Sequence, residues 1–186
     1  MRAAKMVLNS VHSALFVAAS FAATLLAVSG CGMGDGMSDF ERQSKSRESA
    51  LDRLKEDGAK FEEKSYPQGV ALSVDLSGMD ITDETLELLG KIGRVTELNF
   101  SGSSISDDQL GELNDSAEMT ALLLKLDLSK TGITDAGIAR MTKFGFLKDL
   151  NVAGSKVTSA AIESFKAARK ANPDIMPMMK EVNVVQ

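Results

Sequence analysis

The chain has 186 residues, 25% of them charged and 44% hydrophobic, with a net charge of −5 and one cysteine, Cys31. That length fits one domain with appendages. The acidic balance argues against nucleic acid partners, and a lone cysteine excludes both an internal disulfide framework and a Cys-rich zinc site. Residues 1–30 read as an export signal. Arg2 and Lys5 give a short positive start, an apolar run covers residues 11–28, and small residues Ser29 and Gly30 precede Cys31. A membrane-spanning helix is the competing reading, since the run approaches the length of a bilayer crossing. Its Ala/Ser-rich middle and the lack of charged residues straight after it weigh against that.

The order Val28-Ser29-Gly30-Cys31 resembles the lipobox of bacterial lipoproteins. The resemblance implies that the Cys31 thiol receives a diacylglyceryl group and that a peptidase cuts before it. The chain is then membrane-bound through two or three acyl chains, each buried CH₂ contributing about 0.8 kcal/mol. Cleavage would also remove His12, the only histidine, and with it the commonest general base and metal ligand. Gly32, not Asp, follows the cysteine, which by the same resemblance favours the outer membrane over the inner. Residues 31–49 are expected as a flexible tether that starts Gly-rich. Its polar part either extends the tether or forms a loose helix.

Residues 50–69 read as an N-terminal cap. A helix over 50–57 stops at Gly58, a strand follows near 59–63, and "YPQG" at 66–69 turns the chain into a strand over 70–76. Leu51, Leu54 and Phe61 are the residues expected to cover the open core. Four similar segments come next: "VDLSGMDITDETLELL" from Val74, "LNFSGSSISDDQLGEL" from Leu98, "LDLSKTGITDAGIARM" from Leu126 and "LNVAGSKVTSAAIESF" from Leu150. Their second positions fall at Asp75, Asn99, Asp127 and Asn151, and their apolar positions recur in columns such as Ile81, Ile105, Ile133 and Val157. Alternation in "LDLS" turns Leu inward and Asp outward on a short strand. Thr82, Ser106, Thr134 and Thr158 read as helix N-caps, and Ser106 with Gln109 fits a capping box.

These segments resemble the leucine-rich repeat, most closely the "LDLSGTxITDxGL" form of short bacterial repeat proteins. Val95-x-x-Leu98-x-Phe100, Leu123-x-x-Leu126-x-Leu128 and Leu147-x-x-Leu150-x-Val152 carry its opening. The resemblance implies an α/β fold, a solenoid of about four strand-turn-helix repeats over residues 70–173 with a parallel sheet. One departure matters. Where the family often has Asn or Cys, this chain has Met79, Ser103, Thr131 and Ser155, so buried backbone groups there need other partners, with the hydroxyls as candidates. The four extra residues near "SAEMTALLLKL" lengthen one connection. After a last helix over 160–171, "NPDI" is expected as a turn and strand, and residues 174–186 form a C-terminal cap or tail without an assigned place.

No residue set points to catalysis, a metal or a cofactor. Asp83, Asp107 and Asp135 could pair as carboxylates or calcium ligands, but their place at helix starts, where the macrodipole favours negative charge, explains them as caps. The remaining candidate is the outward strand face, with Asp75, Glu97, Asn99, Lys125, Asp127, Asp149 and Asn151, together with Ser73, Ser77, Ser101, Ser129 and Ala153. The resemblance implies a concave face that binds a protein or other envelope macromolecule. The plainer reading is a solvated polar surface, since no Trp or Tyr stands there as an anchor. On the solvated reading Asp127→Ala costs under about 1 kcal/mol, against roughly 2–5 kcal/mol for Leu126→Ala. A structural envelope spacer is the second functional reading. An F-box-like substrate-recruiting subunit is the third, by fold analogy alone.

Overall fold

Ser38 starts the first helix. Its hydroxyl accepts from the Glu41 N–H at 3.2 Å, and the Glu41 carboxylate accepts from the Ser38 N–H at 2.8 Å, a capping box that satisfies two orphan donors. In the computed structural model, which describes residues 37–67 and 69–186, α1 therefore runs Asp39–Glu56. Of the two forms expected for the polar part of residues 31–49, the helix is the one present, from residue 39 onward. The export signal, Cys31 and the tether's first residues lie outside the described part. Residues 39–49 are exposed on every side. From Ala50 the helix buries a face, with Leu54 fully buried and Leu51 packed against the core.

A hairpin follows. β1 (Lys60–Tyr66) pairs antiparallel with β2 (Gly69–Asp75), so the first strand is longer than expected, and Phe61 packs against the core. From β2 onward strand and helix alternate: α2 (Asp83–Ile92), β3 (Val95–Asn99), α3 (Asp107–Asp115), α4 (Ala117–Thr120), β4 (Lys125–Asp127), α5 (Asp135–Arg140), β5 (Asp149–Asn151) and α6 (Ser159–Ala171). The short α4 is the four-residue insertion, and the buried side chain of Met119 anchors it. A 3₁₀ turn, Pro177–Met179, leads to β6 (Asn183–Val185). All six strands form one sheet in sequence order, parallel from β2 to β6. This is an α/β fold with a mostly parallel sheet.

The tail thus finds its place as a strand. "NPDI" does not: its Ile175 is buried, but the segment is a turn, and the final strand comes at Asn183. Alternation of Val182, Asn183 and Val184 carried that signal.

The core lies between sheet and helices. Leu76, Phe100, Leu128 and Val152 are at most 1% exposed, and Ile81, Ile105, Ile133 and Val157 at most 5%. The apolar columns of the sequence are therefore stacked layers of one core. Each of these four strands ends in a turn, and the third residue after its Asp or Asn is Gly78, Gly102, Lys130 or Gly154. The φ angles at those four are 70°, 67°, 56° and 71°, a left-handed region that glycine enters freely. Of the four, Lys130 alone does so with a side chain.

Candidate functional site

Parallel pairing fixes which polar residues meet. The register aligns Ser73, Glu97, Lys125, Asp149 and Asn183 in one row across the sheet. It aligns Asp75, Asn99, Asp127, Asn151 and Val185 in the next. Neighbouring strands lie about 4.8 Å apart, so each row is continuous. Together the rows line a shallow groove of about 370 Å³ on the sheet face away from the helices. All seven residues chosen from the sequence are in it. Asn183 and Val185 were missed, because the tail that carries them has no place in the repeat pattern.

The second row is more than a solvated surface. Asp75, Asn99 and Asp127 each accept, through Oδ1, the N–H two residues on, from Ser77, Ser101 and Ser129 at 3.0, 2.8 and 2.8 Å; Asn151 accepts from Ala153 at 3.1 Å. Such Asx turns end the strand and satisfy a backbone donor. The side chains also bond across strands: the Asn99 amide donates to Asp75 at 3.0 Å, and the Asn151 amide to Asp127 at 2.9 Å. Alternating Asp with Asn gives each carboxylate a donor beside it, where four stacked carboxylates would repel. Ser129 is a correction. Expected outward, it is buried, its hydroxyl 2.9 Å from that of Ser101.

The first row carries more of the free charge. Lys125 lies 3.1 Å from Glu97, while Asp149 accepts from the Asn183 amide at 3.3 Å. Lys60 reaches the edge of the groove, 4.0 Å from Asp75. Burial works to raise the Asp75 carboxyl, but the Ser77 hydrogen bonds, the Lys60 ammonium and the Asn99 amide outweigh it and hold the group below its ordinary range. The lining holds four carboxylates and one ammonium, with Lys60 and Lys64 approaching from β1, and the groove is acidic.

The helix-start aspartates sit on the other side of the sheet, at the first residues of α2, α3 and α5. They do more than complement a dipole. The Asp107 carboxylate accepts from the N–H and hydroxyl of Thr134 at 2.9 and 2.6 Å, and Asp135 does the same for Thr158 at 2.7 and 2.9 Å. Each clamps one helix start to the next. A Cβ on Gly137 would collide with the Asp107 carboxylate, which explains a glycine inside α5. At the first junction Gln109 replaces this clamp: its carbonyl caps the Ser106 N–H at 3.1 Å, completing the expected box, and its amide donates to Ile81 C=O at 2.9 Å. Among the described residues no group of three His, Cys, Asp or Glu is placed to hold a metal ion.

In the strand-exit turn, the hydroxyls of Thr131 and Ser155 donate to the carbonyls of Leu128 and Val152 at 2.6 and 2.7 Å. Ser103 is buried at the equivalent place with its hydroxyl unpaired. Half the substitutions at this position thus bond as the sequence suggested.

Strand, Asx turn and capped helix recur in one order, and one of these units has a known likeness. Residues 121–140 match a family model described as a leucine-rich repeat. That stretch holds β4, its turn and α5. No curated protein matches the chain. Leucine-rich repeats generally serve as protein-interaction modules.

A larger depression, about 530 Å³, lies between α5 and α6 and includes Ile138, Phe165 and Arg169. Its buried charge, Arg169, is partnered through its two terminal nitrogens, while its Nε has no partner among the described residues. Arg169 donates to the carbonyls of Phe144, Leu147 and Met179 at 2.6, 3.0 and 2.7 Å, and its guanidinium stands 5.6 Å from the Phe165 ring centre. Burial lowers its pKa, yet these carbonyls hold it as a staple between α6 and the loops around it. The strand-face groove, with unspent carboxylates, is the better candidate.

Proposed function

We propose that this is a lipid-anchored envelope protein, a four-repeat leucine-rich-repeat solenoid that binds a protein partner on its concave strand face and catalyses nothing. The observation that carries this reading is the gathering of Asp75, Glu97, Asn99, Lys125, Asp127, Asp149 and Asn151 into one groove. The anchor rests on Val28-Ser29-Gly30-Cys31 at the end of the apolar run, with the outer membrane favoured. A polar groove with spare negative charge selects a partner surface with complementary charge.

The test separates face from fold. Asp75 and Asp127 hold turns, so reversing them confounds binding with stability. Glu97→Lys with Asp149→Lys leaves every Asx turn in place. We expect this pair to abolish capture of the protein partner, while Glu87→Lys with Glu112→Lys, on the outer faces of α2 and α3, retains it. The opposite pattern would remove the concave-face reading. For the anchor, Cys31→Ser is expected to leave an unprocessed chain without acyl label, and normal labelling of that variant would end the lipoprotein reading.

A further inference from the structure

The two edges of the sheet are built differently. β1 carries Lys60, Glu62, Glu63 and Lys64 along its open edge, and charges of this kind discourage edge-to-edge pairing. β6 reads Asn183-Val184-Val185, without a charge. Its orientation follows from the hydrogen bonds. The Asn183 N–H donates to Lys148 C=O at 2.7 Å, and Val185 C=O accepts from the Val152 N–H at 2.8 Å, so both face β5. Backbone groups alternate sides along a strand. The N–H and C=O of Val184 therefore point away from the sheet. The strand's own Val185 is 50% exposed.

An outward N–H beside an outward C=O is the template for one more strand. We infer that this edge pairs with the β6 edge of a second copy, antiparallel about Val184, joining two six-stranded sheets. A second copy fits better than a foreign strand for two reasons. With Val184 on the two-fold axis, its N–H and C=O meet those of the other Val184, which satisfies both groups in one closed pair. The facing pairs are then Asn183 with Val185, so no like charges oppose each other. Three residues per strand make a small interface. The dimer is consequently weak.

The register provides a sharp test, because residue 183 of one copy faces residue 185 of the other. Sedimentation equilibrium on the full chain, in detergent with micelles in large excess, reads the oligomeric state. The wild type is expected to pass from monomer to dimer between about 1 and 100 μM. Asn183→Lys with Val185→Lys opposes lysines twice and is expected to remain monomeric throughout, as is the matching pair of glutamate substitutions. Mixing lysine and glutamate variants is expected to restore a one-to-one dimer. Each altered side chain is exposed, and urea melts check that the fold survives. A wild type that stays monomeric, a lysine variant that dimerises like the wild type, or a mixture that does not pair would each overturn the inference.

Discussion

Toward the helices the sheet presents Leu98, Leu126 and Leu150, each at most 2% exposed. Away from them it presents Asn99, Asp127 and Asn151, partly exposed and held by hydrogen bonds to turns and neighbouring strands. Both faces stabilise the fold, by different physics. On the inner face the contribution scales with apolar area removed from water. On the outer face it comes from donors that would otherwise end a strand unpaired, each net bond being worth about 1 kcal/mol. The polar column is thus structural first.

The contrast between the faces breaks most severely on the apolar side. Leu126→Ala removes a buried side chain from the middle layer and is expected to cost roughly 2–5 kcal/mol in urea unfolding. A cost near zero would mean that the strand register is not the one described.

Asp127→Ala comes next. It strips the Ser129 N–H of its acceptor and frees the Asn151 amide, so about 1–2 kcal/mol is expected, more than a merely solvated residue would cost. Asp127→Asn sharpens the point by keeping an oxygen for the Ser129 N–H, and should recover part of that loss. Equal costs for the two variants would assign the effect to charge, not to the turn.

The smallest effect concerns Lys130, the one side chain in the left-handed turn position. Left-handed backbone costs a non-glycine residue roughly 1–2 kcal/mol, and glycine's extra freedom in the unfolded chain returns about 0.5–1 kcal/mol of that. Lys130→Gly should therefore stabilise by about 0.5 kcal/mol. Gly102→Lys, the reverse change one unit earlier, should destabilise. If Lys130→Gly instead lowered stability, the turn would not carry the strain its φ angle implies.

Much of the architecture is legible because the chain repeats itself. Four apolar columns and four hydroxyl caps each report the same unit, so an error in one is corrected by the other three. The seven groove residues follow from the same register, since strands of equal design must stack like with like. The differences between expectation and structure lie where the repetition fails. Ser38 and Glu41 form a single capping box with no counterpart to reinforce it, and nothing else in the polar stretch marks the helix they start. β6 is only three residues long and departs from the repeat, so its short alternation stands alone and assigns the tail no place.

Sequence alone determined the period, the inward columns and the strand-end Asp/Asn positions, because backbone geometry converts local alternation directly into inside and outside. Only the tertiary structure decided what those polar residues touch. Asp107 looks like any helix-start carboxylate until α5 arrives beside it, with Thr134 to hold and a glycine to make room. Asp127 reads as solvated until Asn151 is seen to reach it from the next strand. Contacts between units depend on register and distance across the sheet, and neither quantity is written in any one unit of the sequence.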